Sequence, residues 1–297
     1  MSIRINPDLL PALLSSIQQS QQSESVATQQ MSSGRSTNQP SDNPAATAAI
    51  VFNHSQAAQD AQYLQNINSL QGRFQVADST LSGVVTALTQ AVGLGTEGAN
   101  GTLNDANRQA VASQVEGILT QVTGFANTSY QGTFLFSGTS VNIQPFETDG
   151  STGQLIYKGN SNTTSVELSN GNSITSNVPG DQLFLNPKGS VLGSLQDLYT
   201  ALSNGTNIGQ AVNEVSDALN QLDIQRVTYG NALNQINLAE TALNQDKVNV
   251  SEQETSLVGA DLATVATNFA QAQLASQAAI SATSRILSQK TLLDYLV

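Results

Sequence analysis

The stretch DLATVATNFAQAQLASQAAISATSRI, residues 261–286, decides how the rest of the chain is read. Apolar or small residues recur in it at alternating spacings of three and four: Leu262, Val265, Phe269, Ala272, Ser276, Ala279, Thr283 and Ile286. That is a heptad seam on a helix, and it runs on towards Leu292-Leu293-Asp294-Tyr295-Leu296-Val297. Many seam positions are small, so the stripe is too thin to form a core alone. The other end of the chain offers a companion, where Leu10, Leu14, Ile17, Gln21, Glu24, Thr28 and Met31 keep the same spacing with weaker hydrophobicity. The two termini are therefore expected to pair, with everything between them carried outward from that pair.

Composition narrows the function classes. Only 11% of the 297 residues are charged, against about 25% in ordinary globular proteins. Gln, Asn, Ser, Thr and Ala fill the gap. A net charge of −12 argues against nucleic acid as partner, because neutralising phosphates takes clustered Lys and Arg. Without cysteine there is neither disulfide nor thiolate metal site. No run approaches the roughly 20 apolar residues that span a bilayer, so membrane insertion is not expected. Met1-Ser-Ile-Arg-Ile-Asn-Pro7 lacks an apolar core followed by a small-residue cleavage site, so a cleaved signal peptide is not expected either.

Outward from the termini, residues 8–32 read as the first helix. Gly34 can end it and Pro40 forbids its continuation. Ser41 or Asp42 can cap the next helix, with Pro44 in its first turn. In that helix Tyr63, Ile67, Leu70, Phe74, Ala77, Leu81, Val84 and Leu88 keep strict four-three spacing, before an expected glycine-rich connection from Gly93 to Gly101. A third helix starts near Asn104 or Asp105 and puts Val111, Val115, Ile118, Val122 and Phe125 on one face. At Gly132 the period changes. Residues 137–190 read as a small inserted β module with strand-like runs at 154–157, 165–168, 173–175 and 182–185. Asn170-Gly171 should form a type I′ hairpin turn. Helical spacing returns from Ile208 through Leu222, Tyr229 and Ile236 to Val250, and a phase slip between Glu254 and Asp261 separates it from the C-terminal seam.

Candidate chemistry is thin. Gly93-x-Gly95-x-x-Gly98 matches a dinucleotide-binding fingerprint as text, but a long amphipathic helix precedes it instead of a strand. His54 is the only histidine and sits among polar helical residues, so no catalytic triad or His-bearing metal cluster can be assembled. Asp149-Gly-Ser-Thr-Gly lacks the further acidic ligands of a calcium loop. No catalytic, cofactor-binding or metal site is expected. Residues 60–250 suit an ordinary bundle core. The terminal stripes instead suit a surface completed by neighbouring subunits, with Leu10, Leu14, Ile17, Leu262, Val265, Phe269, Ala272, Ala279, Ile286 and Leu293 as its candidate residues.

Four stretches carry a resemblance. Ser32-Ser33-Gly34-Arg35 with Asn38-Gln39-Pro40-Ser41-Asp42-Asn43-Pro44 is one, with Ser33, Gly34, Pro40, Asp42 and Pro44 as its signature positions. Ala99-Asn100-Gly101-Thr102-Leu103-Asn104 with Arg108-Gln109-Ala110 is another. The third runs from Tyr130 to Thr139, and the fourth joins Asp261-Leu262-Ala263 to the closing Leu292-Leu293-Asp294-Tyr295-Leu296. Taken in order, they resemble the bacterial flagellin superfamily, and more narrowly its hook–filament junction branch. The resemblance implies a mostly helical, flagellin-like fold with inserted β structure: paired terminal helices (1–47 and 258–297), a long-helix bundle (48–136 and 198–257) and a small outer β domain (137–197). It further implies a non-enzymatic, extracellular subunit exported without a cleaved signal. The implied partners are a first junction protein, flagellin, copies of itself in a ring and an export chaperone. A flagellin filament subunit and a secreted adhesin are the alternatives, and an enzyme is a distant third.

Overall fold

The computed structural model describes residues 9–101, 103–150, 155–186 and 189–288. Its elements in chain order are α1 (Leu9–Ser33), α2 (Pro44–Ala99), α3 (Asp105–Ala126), β1 (Ser129–Tyr130), β2 (Thr133–Phe134), β3 (Phe146–Thr148), β4 (Leu155–Tyr157), β5 (Ser165–Ser169), β6 (Asn172–Thr175), α4 (Gly180–Phe184), α5 (Val191–Asn204), α6 (Ile208–Val258) and α7 (Leu262–Ser288). The chain divides into two compact units: Met1–Ala58 with Asp246–Val297, and Gln59–Gln245.

In the 59–245 unit the predicted seams are buried as expected. Ile67, Leu81, Val84 and Leu88 of α2 are fully buried, as are Val115 and Val122 of α3 and Val215 and Ile236 of α6. Asn104 caps α3, its side-chain carbonyl accepting from Asn107 N at 2.8 Å. Ser190 caps α5 in the same way through Gly193 N at 3.0 Å. Helix α5, which the sequence pattern did not delimit, packs on α3 and adds Leu195, Leu198 and Leu202 to the core.

Three local expectations are corrected. First, Gly93 to Ala99 is helix, not loop. The four-three seam continues past Leu88 through Ala91, Gly95 and Gly98, all buried. A Cβ at Gly95 would stand 2.6 Å from Val212 Cγ2, and one at Gly98 would collide with Leu202 Cδ2. These glycines let helices approach closely, which outweighs their cost of about 1 kcal/mol each in helix propensity. Second, residues 182–185 form no strand. Asp181 to Phe184 lie in α4, which seats Phe184 against Phe136 and Phe146 at ring separations of 5.3 and 5.5 Å. Third, the β5–β6 hairpin turns at Asn170-Gly171, but only Gly171 has positive φ (77°), so the turn is not type I′. A register irregularity between Glu167 and Ser169 takes up the difference.

Among the described residues the β structure consists of three separate two-stranded antiparallel pairs, β1–β2, β3–β4 and β5–β6. Two-stranded ribbons are marginal alone. Here Phe146 of β3 and Leu168 of β5, with Leu135 and Phe136 just after β2, are buried in the same apolar cluster as the helical seams.

Candidate assembly surface

Within the terminal unit, α1 packs along α7. The α7 seam lies where its spacing predicts: Val265, Ala272, Ser276 and Ala279 are buried, and Phe269 and Thr283 are half-buried. Leu262, at the head of the seam, is 54% exposed. On α1 the inward face is shifted from the predicted one. Leu13, Ile17, Ser20, Glu24, Ala27 and Gln30 are the buried or half-buried positions, while Leu14 and Met31 remain exposed. Both phases share Ile17 and Glu24. The one that buries Ser20 and Ala27 wins, because small residues allow α1 to lie close to the alanines of α7. Leu10 falls in α1 and Ile286 in α7, but their side chains, and Leu293 entirely, lie outside the described residues.

The pair is apolar on the wrong side for a self-sufficient unit. Among the described residues its buried apolar side chains are Ala27, Val265, Ala272 and Ala279, whereas Leu14, Leu262, Leu274 and Ile280 are each more than half exposed. Its surface is also almost uncharged. Glu24 is the only charged residue in α1, and Arg285 the only one in α7. Soluble helices normally cover their outer faces with about 25–35% Lys, Arg, Glu and Asp. A groove of about 570 Å³ between the two helices is lined mainly by Ser and Gln of α1 together with Asn268, Gln271, Ala272 and Ala275 of α7. Such a surface offers hydrogen-bonding amides and hydroxyls beside aliphatic side chains, which suits another helix of the same composition.

The signature loop is ordered by local chemistry. Gly34 takes φ 67° and its N–H donates to Gln30 O at 2.9 Å, closing α1. Ser33 Oγ accepts from Arg35 N at 3.2 Å. The expected helix cap is corrected by one residue: Asn43 Oδ1 accepts from Ala46 N at 3.0 Å, and Pro44 opens α2. Asp42 instead holds the loop before it, its carboxylate accepting from Asn38 N and Gln39 N at 3.0 and 2.8 Å. Pro40 is exposed in that loop. At the start of α7, Asp261 is the cap. Its carboxylate accepts from Ala263 N (3.0 Å) and Thr264 Oγ1 (2.8 Å), and these bonds, led by the Thr264 hydroxyl, hold its pKa below the usual carboxylate value.

Sequence reasoning missed one feature. The loop after α1 meets the loop before α7 through Ser36 N donating to Val258 O at 2.7 Å and Ala260 N donating to Gly34 O at 3.0 Å. Arg35 reaches Glu254 at 3.1 Å, and His54 Nε2 lies 3.4 Å from the same oxygen. The only visible hints were two glycines, Gly34 between Ser33 and Arg35 and Gly259 between Val258 and Ala260. No periodicity links positions so far apart. Among the described residues no group of three potential metal ligands gathers, and no helix is long and apolar enough to cross a membrane.

Comparison with known proteins bears on this surface. Residues 10–141 match the bacterial flagellin N-terminal helical region, and residues 212–296 match the bacterial flagellin C-terminal helical region. Flagellar hook-associated protein 3 of Escherichia coli is 25% identical over 281 residues, covering 86% of this chain and 87% of that protein. Its counterpart in Salmonella typhimurium is 26% identical over 279 residues, covering 84% and 86%. Among solved structures, the flagellar junction protein FlgL of Legionella pneumophila superposes with a TM-score of 0.61 at 15% identity, over 71% of this chain and all of that one. The two matched regions hold both partners of the α1–α7 pair and leave residues 142–211 unmatched.

Proposed function

The chain belongs to the bacterial flagellin family, and from that premise we propose that it is a structural subunit of the hook–filament junction of a bacterial flagellum. The observation that carries this reading is the terminal pair: a thin inner seam, exposed Leu14, Leu262, Leu274 and Ile280, and a single charged residue on each helix. Flanked by copies of itself, the pair would bury the exposed part of those side chains at roughly half of the 1.5–3 kcal/mol that full burial of each is worth, and the scarcity of charge would remove a desolvation penalty. Similarity to hook-associated protein 3 over most of both chains supports the junction over the filament.

In this reading residues 1–47 and 258–297 form the inner assembly layer. Residues 48–136 and 198–257 form the helical middle layer, and residues 137–197 face outward. The subunit sits between a first junction protein on the hook side and flagellin on the filament side, in a ring of its own copies. It reaches that place through the flagellar export apparatus with a dedicated chaperone. Its role is mechanical and not enzymatic.

Immunogold labelling of intact flagella, paired with a deletion strain, tests the proposal. A single band at the hook–filament boundary, with flagellin released into the medium of the deletion strain, is the expected result. Label along the whole filament would make the chain a filament subunit. Label on the cell body would return the adhesin reading.

A further inference from the structure

Within the 59–245 unit, helix α6 carries a second four-three seam on the side away from the core. Its buried line runs through Leu222, Tyr229, Ile236 and Leu243. On the other side Ile224, Val227, Asn231, Asn234 and Leu238 are all exposed. The three aliphatics among them stand 61%, 63% and 71% exposed. Single surface aliphatics are ordinary, but three on one heptad line make a face suited to another helix.

Helix α3 presents the matching shape. Ala110, Ser113, Gly117, Thr120 and Gly124 repeat the same steps along its exposed side. Glycine is the poorest helix former after proline. At Gly95 and Gly98 of α2, close side chains of the same chain account for it. At Gly117 and Gly124 a Cβ would meet nothing within 4 Å, so the subunit itself does not require glycine there. None of these α3 and α6 positions is charged. Copies of a chain with a net charge of −12 approach with least repulsion where both faces lack carboxylates.

We propose that the Ile224–Leu238 ridge of one copy packs into the Ala110–Gly124 groove of the next, with the two helices parallel. The two sets of steps fall into register: Ile224 lies opposite Ala110, Val227 opposite Ser113, Asn231 opposite Gly117 and Leu238 opposite Gly124. Each large side chain meets a small one, the ridge-into-groove arrangement of closely packed helices. The contact joins two different faces, so it propagates from copy to copy instead of closing a pair. It also sets a stagger. Gly83 of α2 meets Phe125 and Gly98 meets Val111, which puts Gly117 level with the turn of α2 midway between those glycines. Phe74 meets Tyr229, which puts Asn231 near the level of Phe74. The two levels differ by roughly 17 residues of α2, about 25 Å at 1.5 Å per residue. Neighbouring copies are displaced by that distance along their helices. The contact rests on the reading that parallel copies of the chain assemble, and it needs nothing from the terminal helices.

The chain has no cysteine, so introduced thiols report contacts without background. Flagella from a deletion strain complemented with the full chain carrying Gly117→Cys and Asn231→Cys are oxidised and run on a non-reducing gel. A ladder of disulfide-linked multimers is expected. Val212 meets Gly95, so Asn213, exposed on the same side of α6, stands near the height of Gly117. Gly117→Cys with Asn213→Cys therefore tests an unstaggered arrangement and should leave monomer. Monomer from the first pair, or a ladder from the second, would overturn the proposal. Gly117→Leu fills the groove at a site exposed in the monomer. Its melting midpoint should hold or rise while motility is lost. Wild-type motility would overturn the proposal, and so would a fallen midpoint, because α3 would then need its glycine within the subunit. Immunogold label along the whole filament would displace the junction reading and leave this contact standing. A band at the hook–filament boundary without the ladder would sink the contact alone.

Discussion

Two parts of this molecule use one period to opposite ends. In the 59–245 unit the four-three positions hold bulk: Ile67, Leu81, Leu88 and Ile236 are fully buried, and Phe74 meets Tyr229 edge-on at 5.4 Å. On the terminal pair the same period holds Ala27, Ala272, Ser276 and Ala279, while Leu14, Leu274 and Ile280 point to solvent. Heptad spacing alone says that a helix has a packed face. The size of the residues on that face, and the charge content of the opposite one, say whether the core is private or shared. Bulk inside and charge outside make a monomer. Small residues inside, with aliphatics and amides outside, leave a pair unfinished until neighbours arrive.

The hardest test of that contrast is Phe269→Asp. Phe269 is the largest residue of the α7 seam and only half-buried. We expect the variant to lose filament assembly and motility in a complemented deletion strain. The melting midpoint of the 59–245 unit should shift by less than about 2 °C, since a change of about 1 kcal/mol moves Tm by 2–4 °C in a domain of this size. Parallel loss of melting temperature and assembly would mean that the terminal seam belongs to the monomer's own core.

Leucine truncation makes the comparison quantitative. Leu198→Ala, at a fully buried position, should cost about 2–5 kcal/mol in denaturant unfolding of the monomer. Leu274→Ala, at a position 67% exposed, should stay within about 0.5 kcal/mol in the same assay and show its effect only in assembly. Similar costs at the two sites would break the contrast.

A smaller effect should appear in limited proteolysis of the monomer. Cleavage should begin at both ends, and the 59–245 fragment should outlast them by roughly tenfold in time, because local opening is easiest where few apolar contacts hold the chain. Ends that survive as long as that fragment would show a pair already complete without neighbours.

The long seams were legible because a period sustained over six to eight positions marks one face of a helix. Tyr63 to Leu88 and Val265 to Thr283 were read correctly for that reason. Where bulk and packing disagree, the pattern misled. Leu14 and Met31 drew the α1 seam one step off, since a one-dimensional reading favours large residues and a close helix pair favours small ones. Gly93, Gly95 and Gly98 read as a loop because glycine's low helix propensity is visible in sequence, whereas the side chains of Val212 and Leu202 that require glycine are not. The clip between the loops after α1 and before α7 left only two glycines to see. Its bonds are mostly between backbone atoms, and backbone atoms carry no sequence signature. Of the candidate surface, the α7 half was therefore readable, and the loop contact beside it was not.

The smallest effect concerns the first turn of α7. Asp261 is fully exposed, yet its bonds to Thr264 Oγ1 and Ala263 N lower its pKa from 3.8. A carboxylate whose folded value is depressed contributes stability that is present above its unfolded value and disappears as pH falls through the folded one. Exchange at the amides of Ala263 and Thr264 should therefore keep its pH 6 protection down to about pH 4 and lose part of it only on further acidification. Asp261→Asn retains an acceptor oxygen without a titration, so the acid-induced loss should vanish while the cap persists. Asp261→Ala should weaken the first turn at every pH. If Asp261→Asn showed the same acid sensitivity as the wild type, another group would be titrating, and the start of α7 would depend on something other than its cap.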